Sequence, residues 1–520
     1  MEMQDKAKPA IKPVSRRSAT IANLAYQYVS IGFMLINGVF VVPLYLKFID
    51  LKIYGAWLAT GSVISWLLTV DMGLGDLMRQ QAAKTYGSGD MKVAGKVIGT
   101  GLIISGVMGL IPTVAGLMIS PFIPRLFGID GTGAEALSLA FLLAAISTSL
   151  IIIGGMPGAA QQGLQRNIIY IIIYVMGAIS GISCIIVLLL RGYGVLAIPC
   201  GCVLQGLIWL VGYWLSLTWI CNRMRIRLTF SRKALGKFSS LLAWTSIKHF
   251  AHHLLFNCDA FVVGILVGAE ATPIYVLSKR VWDLLNFFVN RIGVAFMPGL
   301  AHLYGEGEKE TFRKISMRLL RTVSWVLAIG AGGCFCFNSS FMSLWVGNKL
   351  YAGHLFNGLM AIGIVLQILT FVVNKILYGA ENIKGPSIMG TIVYLSKALL
   401  LVGMIWTIGF TGGPLSLIIS FGLVGGWYFV QQLHKTVGFV SGELKKCFFS
   451  LVWSVAVVFI ISLLFLLVIT VNSWDKFAAM VLVYVVAASG VLLMVDSQFR
   501  LQASSLVNWG LRQLSGLRRG

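Results

Sequence analysis

Ala83-Lys84-Thr85-Tyr86-Gly87-Ser88-Gly89-Asp90 follows the second long apolar stretch of this chain, and Ala301-His302-Leu303-Tyr304-Gly305-Glu306-Gly307-Glu308 follows the eighth. Both read A-x-x-Y-G-x-G-[DE], 218 residues apart, and in each the glycines suit a tight turn. Upstream, Tyr54 and Tyr275 stand before the corresponding stretches. Downstream, Gly163-Leu164-Gln165-Arg166-Asn167 loosely matches Gly379-Ala380-Glu381-Asn382. The glycine-rich element falls at the same topological position in both halves, after an even-numbered stretch. A duplication that keeps its direction through a membrane is a parallel repeat. The pattern predicts two six-helix lobes, spans 1–6 and 7–12, with two further spans outside the repeat.

The apolar stretches decide the environment. Of 520 residues, 58% are hydrophobic and only 11% charged, with a mean hydropathy of +0.86. Soluble domains carry about 25% charged residues. A hydrocarbon core takes about 20 apolar residues per helix, and fourteen stretches of this kind run from 21–46 to 476–495. The expected fold is an all-α polytopic membrane protein. Residues 1–20 form a cytoplasmic tail, 21–222 the first lobe, 223–240 a basic cytoplasmic linker and 241–437 the second lobe. Residues 438–497 form spans 13 and 14, and 498–520 a second cytoplasmic tail. The connections are too short for a soluble catalytic domain. The basic N-terminal segment leads into a full-length span, unlike a cleaved signal peptide.

The net charge is +23, from 41 Lys and Arg against 18 Asp and Glu. Its placement argues against a nucleic-acid partner. Lys6 to Arg17, Arg79 to Lys96, Arg223 to Lys237 and Lys309 to Arg321 are rich in Lys and Arg, whereas Gly268 to Pro273 and Gly409 to Pro414 have none. This is the positive-inside pattern. It places both termini in the cytoplasm and the basic loops against anionic membrane lipids. The Cys200/Cys202 and Cys334/Cys336 pairs lack the second pair a zinc site needs, so the cysteines read as small hydrophobes. No metal and no cofactor is expected.

Charged residues within a span usually face a water-filled cavity or a partner. At 100° per residue, Lys279, Asp283, Asn286 and Asn290 of span 8 fall within about 60°, with Arg280 and Arg291 beside them. Lys279 and Arg280 can snorkel and pair with Asp283, but Arg291 lies too deep for that. In span 7, Lys248, His252 and Asp259 share one face. Asp259, His252 and Asp283 are the candidates for ion coupling. Lys397 lies near the centre of span 11. Span 1 has a milder stripe that includes Asn23, Tyr26 and Gln27, of the kind helix–helix contacts commonly use. Six Lys or Arg lie inside spans (Lys248, Lys279, Arg280, Arg291, Lys375, Lys397) against three Asp (Asp71, Asp259, Asp283). A cationic interior suits an anionic cargo, held by charge-assisted hydrogen bonds. The cavity candidates are Arg291, Lys397, Lys248, Lys279, Arg280, Asn286, Asn290, Asn23 and Gln27. Two lobes of this kind predict a substrate site between them.

Tyr54 to Asp90 resembles the N-lobe signature of bacterial polysaccharide and O-antigen flippases in the multidrug/oligosaccharidyl-lipid/polysaccharide (MOP) exporter superfamily. The likeness rests on Tyr54-Gly55-Ala56-Trp57, Asp71-Met72-Gly73-Leu74-Gly75, Arg79, Ala82, Ala83 and Gly89-Asp90. Gly163 to Asn167, Arg191-Gly192-Tyr193-Gly194 and Pro298 also resemble family elements. The resemblance implies a bacterial cytoplasmic (inner) membrane protein with a MATE-like fold. Its cargo would be an undecaprenyl-pyrophosphate-linked oligosaccharide, moved to the outer leaflet by alternating access. It further implies a polysaccharide polymerase and chain-length machinery as partners. Without the resemblance, Asp71 to Gly75 reads as a helix end with permissive glycines.

Two alternatives compete. A cation-coupled small-molecule exporter of the same superfamily would want an acidic N-lobe site, and the N-lobe spans hold only Asp71. A membrane-embedded polymerase or glycosyltransferase would want a substantial outer loop, and Pro121 to Glu135 is short and has no acid/base constellation. The chain therefore reads as a transporter and not an enzyme. The charge pattern makes a direct topological prediction. Cysteines introduced as Arg125→Cys and Lys349→Cys should react with an impermeant thiol reagent from outside, and Arg232→Cys and Lys314→Cys only from inside. Outside labelling at position 232 overturns the topology.

Overall fold

A computed structural model of the chain describes residues 16–71, 73–236, 238–239, 255, 257–438, 441–468, 471–496 and 498–501. The described residues form helices and turns, with no strand among them. In hydrocarbon this is one of the two ways a backbone can satisfy its own polar groups. The chain divides into two compact units, Met1–Pro273 and Ile274–Gly520.

Among the described residues, eleven helical segments are long and apolar enough to cross a membrane. The difference from the expected fourteen has local causes. Lys384–Val437 is one run of 54 residues, but it turns at Gly409, where φ is 66°, between helices Lys384–Ile408 and Gly412–Leu417. Most of the expected seventh span lies outside the described residues, and its far end is the short helix Asp259–Leu266. Ser441–Val468 is a further helix, within which Trp453–Leu466 is the shorter apolar stretch.

In the first unit, helix Gly131–Gly163 is central. It packs against Ala197–Arg223, Met91–Ile119 and Leu74–Gly87. The buried core between them includes Met78, Ile98, Met156, Leu164, Leu217 and Ile220. The basic linker is tied down at its start. Met224 and Ile226 are buried in this core, the Thr229 amide donates to the Gly95 carbonyl at 3.3 Å, and the Ser231 amide donates to Thr100 Oγ1 at 3.0 Å. Helix Asp259–Leu266 packs on Leu51–Leu68, with Phe261 edge-on to Trp66 at 5.4 Å.

The two units share their turns. Gly89 has φ 75° and Gly307 φ 76°, and each donates its amide to the tyrosine carbonyl of its turn, Tyr86 or Tyr304, at 3.1 Å. The looser sequence match is closer in backbone. Gln165 and Glu381 both adopt the left-handed conformation, at φ 61° and 58°. The following amides close equivalent bonds, Arg166 to the Gln161 carbonyl at 2.9 Å and Asn382 to the Leu377 carbonyl at 3.0 Å. Close packing repeats as well. A methyl group on Gly163 would lie 2.6 Å from Ala82 Cβ, and one on Gly379 would lie 2.9 Å from Leu300 Cβ. Ala82 and Leu300 are themselves 218 residues apart.

The second unit is held by a buried polar knot. Asn357 Oδ1 accepts from Trp282 Nε1 at 2.9 Å and from Asn338 Nδ2 at 2.9 Å, and Asn357 Nδ2 donates to the Phe335 carbonyl at 2.9 Å. Asn338 Nδ2 also reaches the Ser278 carbonyl at 3.0 Å. Three helices are thereby tied together, Ala271–Gly305, Lys309–Trp345 and His354–Gly379. The last two helices, Ser441–Val468 and Trp474–Val495, pack on Lys309–Trp345. There Phe337 meets Phe465, Phe477 and Tyr484 edge-on, and Asp496 Oδ2 accepts from Trp325 Nε1 at 3.0 Å.

Asn357→Leu keeps the volume but leaves the buried Trp282 Nε1 without its acceptor and takes one of two acceptors from Asn338 Nδ2. An unsatisfied buried polar group costs about 1–3 kcal/mol, so the variant should lose several-fold more stability than Asn286→Ala on the partly exposed face of the same bundle. Thermal unfolding in detergent checks this, and equal melting temperatures for the two variants would refute the account of the knot.

Candidate functional site

Two groups of polar residues stand out, one in each unit. The first lines a cavity of about 610 Å³ in the first unit. One wall is the segment from Ser65 to Arg79, which contributes Ser65, Thr69, Asp71, Gly73, Gly75, Asp76 and Arg79. Ile151, Ile152, Gly155, Met156 and Ala159 of helix Gly131–Gly163 form the opposite wall, and Tyr170 and Asn257 complete it.

The Asp71-to-Gly75 segment is a built turn. Gly73 takes φ 78° and donates its amide to Asp71 Oδ1 at 3.0 Å, and helix Leu74–Gly87 starts directly after it. This is the structural role the sequence suggests for those glycines, but the same turn also delivers its carboxylates to the cavity. Asp76 and Arg79 pair one helical turn apart, Oδ1 to Nη1 at 2.7 Å. The Asp76 side chain is 80% exposed and that of Arg79 43%, so an open ion pair of this kind contributes little to stability. The Arg79 Nε is enclosed with no hydrogen-bond partner among the described residues.

Tyr170 belongs to an aromatic array. Its ring stacks on Tyr213 at 5.0 Å with 9° between planes, and Tyr174 stacks on Trp209 at 5.1 Å with 19°. Tyr26 of helix Arg16–Leu35 meets Tyr170 and Tyr174 edge-on at 5.0 and 5.1 Å. The Tyr170 hydroxyl lies 3.3 Å from that of Tyr26. The Tyr26 position of the span-1 stripe is thus a helix–helix contact.

The second group lies along helix Ala271–Gly305, where six of the sequence-derived candidates sit together. Lys279 Nζ is 3.5 Å from Asp283 Oδ1, one turn on. Asn290 Nδ2 donates to Asn286 Oδ1 at 2.6 Å. Arg280 is partly buried, its Nε enclosed without a hydrogen-bond partner among the described residues. Arg291 is exposed, its guanidinium 4.7 Å from the centre of the Phe287 ring. Such a cation–π contact leaves all five guanidinium donors able to bind.

The remaining candidates are dispersed. Lys397 is 1% exposed, on the packed face of helix Lys384–Ile408 with Val393, Leu401 and Ile405. That helix packs against Gly412–Leu417 and the π-helical turn Ile418–Val424. Asp259 is buried in the first turn of its short helix in the first unit. Gln27 is exposed on helix Arg16–Leu35, which also carries Asn23. Lys248 and His252 lie outside the described residues.

Sequence reasoning did not nominate Asp76, Arg79 or Tyr170 as cavity residues. The available signal was the signature itself, because Arg79 stands among its quoted residues. What the sequence does not carry is the approach of the Ile151-to-Ala159 wall.

Residues 68–352 match the family of polysaccharide biosynthesis proteins. No curated protein matches the chain. Several solved structures do. The lipid II flippase MurJ, in an inward closed conformation, has a TM-score of 0.64 at 13% identity, over 92% of this chain and 99% of its own. An inward-facing multidrug resistance MATE family transporter of the MOP superfamily has a TM-score of 0.60 at 14% identity, over 79% of this chain and 96% of its own. A MOP superfamily transporter from Pyrococcus furiosus, whose binding pocket is described as reversed in polarity, gives 0.54 at 14% identity, over 85% and 100%. At these identities the likeness is one of fold. The family match covers more than half of the residues, and it includes both the Asp71-to-Arg79 wall and the Lys279-to-Arg291 stripe. The chain belongs to the polysaccharide biosynthesis protein family and has the fold of the MOP superfamily transporters.

Proposed function

We propose that this multi-pass membrane transporter is a flippase. It carries an undecaprenyl-pyrophosphate-linked oligosaccharide, one repeat unit of a polysaccharide, from the inner to the outer leaflet of the bacterial cytoplasmic membrane. The observation that carries this reading is the polar stripe on helix Ala271–Gly305. This segment has the length and composition of a membrane span, yet it holds Lys279, Arg280, Asp283, Asn286, Asn290 and Arg291. Lys279 and Asp283 offset each other. Arg280 and Arg291 leave the helix with a surplus of positive charge. An Arg near the bilayer centre costs roughly 2.5–3.5 kcal/mol on insertion scales, so it calls for water, a partner or a ligand. A pyrophosphate is the ligand a guanidinium fork fits best.

The cycle follows from the fold's alternating access. With the inner side open, the cationic residues attract the pyrophosphate of a cargo whose polyprenyl tail stays in lipid. Rearrangement then presents the headgroup to the outer side. Lys397 is enclosed in the described conformation, so it meets cargo only in another state of the cycle. Asp259, His252 and Asp283 remain the candidates for coupling to an ion. A polymerase and chain-length machinery would take the product, and anionic lipids would hold the basic loops.

The test is translocation of a fluorescent lipid-linked oligosaccharide in proteoliposomes, with and without an imposed proton or sodium gradient. Wild type should exceed protein-free vesicles. Arg291→Lys should retain much of the transport, and Arg291→Gln should lose most of it at normal abundance. Lys397→Arg and Lys397→Gln should behave likewise. Normal transport by both Gln variants would exclude the cationic mechanism.

A further inference from the structure

We propose that a cavity at the basic end of the second unit holds the headgroup of a membrane phospholipid, and that its charges select phosphoethanolamine. The site is independent of the transport reading.

The cavity has a volume of about 560 Å³, within the roughly 300–1,000 Å³ of small-molecule sites. Three segments of the unit enclose it. Tyr304 and Lys309 stand on either side of the glycine-rich turn, Glu381 and Asn382 in the turn before helix Lys384–Ile408, and Lys435 and Thr436 in the last turn of helix Gly426–Val437. Asn382 joins two of these walls, for its Nδ2 donates to Gln432 Oε1 at 3.2 Å and to Thr436 Oγ1 at 3.1 Å. Tyr304 lies thirteen residues beyond Arg291 on helix Ala271–Gly305. That is about 20 Å along the axis at 1.5 Å per residue, so the cavity is distinct from the cationic stripe.

Pairing singles out three side chains. Around the glycine-rich turn the other carboxylates are engaged. Glu306 Oε2 lies 3.0 Å from His302 Nδ1, Glu310 Oε1 lies 2.7 Å from Lys314 Nζ, and Glu308 Oε2 accepts from Thr311 Oγ1 at 2.7 Å. Lys309, Lys435 and Glu381 form no ion pair among the described residues. Two ammonium groups and one carboxylate thus line a common space without pairing. A ligand that answers all three carries a phosphate for the lysines and a cation for the carboxylate. Phosphoethanolamine has both, and its primary ammonium donates hydrogen bonds to a carboxylate, as a trimethylammonium cannot.

The acyl chains have a path. Directly after the Glu381–Asn382 turn, exposed apolar residues begin at Ile383 and run along helix Lys384–Ile408 as Ile388, Ile392, Leu395 and Leu399. Steps of three and four residues keep the helical members on one face. From Ile388 to Leu399 the rise is about 16 Å, close to half of a hydrocarbon core about 30 Å thick. A chain laid along this stripe brings its headgroup to the level of the cavity. A soluble phosphate compound has no use for the stripe, which favours the lipid.

The experiment titrates delipidated full-length protein in detergent, read by native mass spectrometry. The probes are short-chain phosphatidylethanolamine, phosphatidylglycerol and phosphatidylcholine, with glycerophosphoethanolamine as the headgroup without chains. Wild type should bind phosphatidylethanolamine about threefold to fivefold more tightly than the other two lipids, the size of an exposed ion pair. Glu381→Gln should abolish the preference over phosphatidylglycerol, and Glu381→Lys should invert it. The double variant Lys309→Gln, Lys435→Gln should weaken binding of every lipid, and Lys309→Arg should retain it. All three positions are exposed, so the variants should melt as wild type does. A preference unchanged in both Glu381 variants, or phosphatidylglycerol bound as well as phosphatidylethanolamine by wild type, overturns the choice of headgroup. Glycerophosphoethanolamine bound as tightly as the lipid makes the ligand a soluble one and overturns the lipid. Binding that survives loss of both lysines, or no binding of any probe, overturns the site. None of these results bears on the flippase reading, because transport is not what is measured.

Discussion

In hydrocarbon a polar group cannot turn to water, and this constraint shapes both units. Their side-chain chemistry is arranged in pairs and knots. Asn357 serves Trp282, Asn338 and the Phe335 carbonyl at once. Asn290 donates to Asn286 one turn away. Tyr484 reaches the Ile329 carbonyl at 3.1 Å and lies 3.1 Å from Ser462 Oγ. Against this background, the exposed Arg291 and the open Asp76–Arg79 pair are the departures. Each sits where apolar packing alone would choose a different residue. That contrast, more than the charge count, separates groups that hold the protein together from groups that meet something else.

The two departures differ in charge, since Arg291 is a cation and Asp76 with Arg79 a carboxylate paired to a guanidinium. A lipid-linked oligosaccharide has an anionic hinge between an apolar tail and a neutral or acidic glycan. A cationic stripe and a mixed-polarity cavity are distinct environments, and one cannot substitute for the other. The first would fix the cargo by its common part, the diphosphate.

Much of the fold was legible because its signals are local. Apolar runs and a Tyr-Gly-x-Gly turn need no knowledge of neighbours. The stripe on span 8 was legible for the same reason, since one helix supplies every member. The first-unit cavity was not. It is assembled from the Asp71-to-Arg79 turn, the middle of helix Gly131–Gly163, Tyr170 and Asn257, and no periodicity links those segments. Asp71 to Gly75 read as a helix end, which it is, and that reading hid its second use. Lys397 was placed by depth alone. Periodicity located its face but could not say that the face is packed to 1% exposure. The count of spans was blurred where the chain turns within a single apolar run, as at Gly409.

Gln165 and Glu381 carry a further consequence. A left-handed backbone costs an ordinary L-residue roughly 1–2 kcal/mol, and glycine escapes most of that. Neither copy uses glycine there, yet both keep the conformation, at φ 61° and 58°. Their side chains differ, as do the residues around them, Leu164 and Arg166 in one copy and Ala380 and Asn382 in the other. At this turn the two units have in common an angle and not an amino acid, so their likeness is kept better in geometry than in spelling.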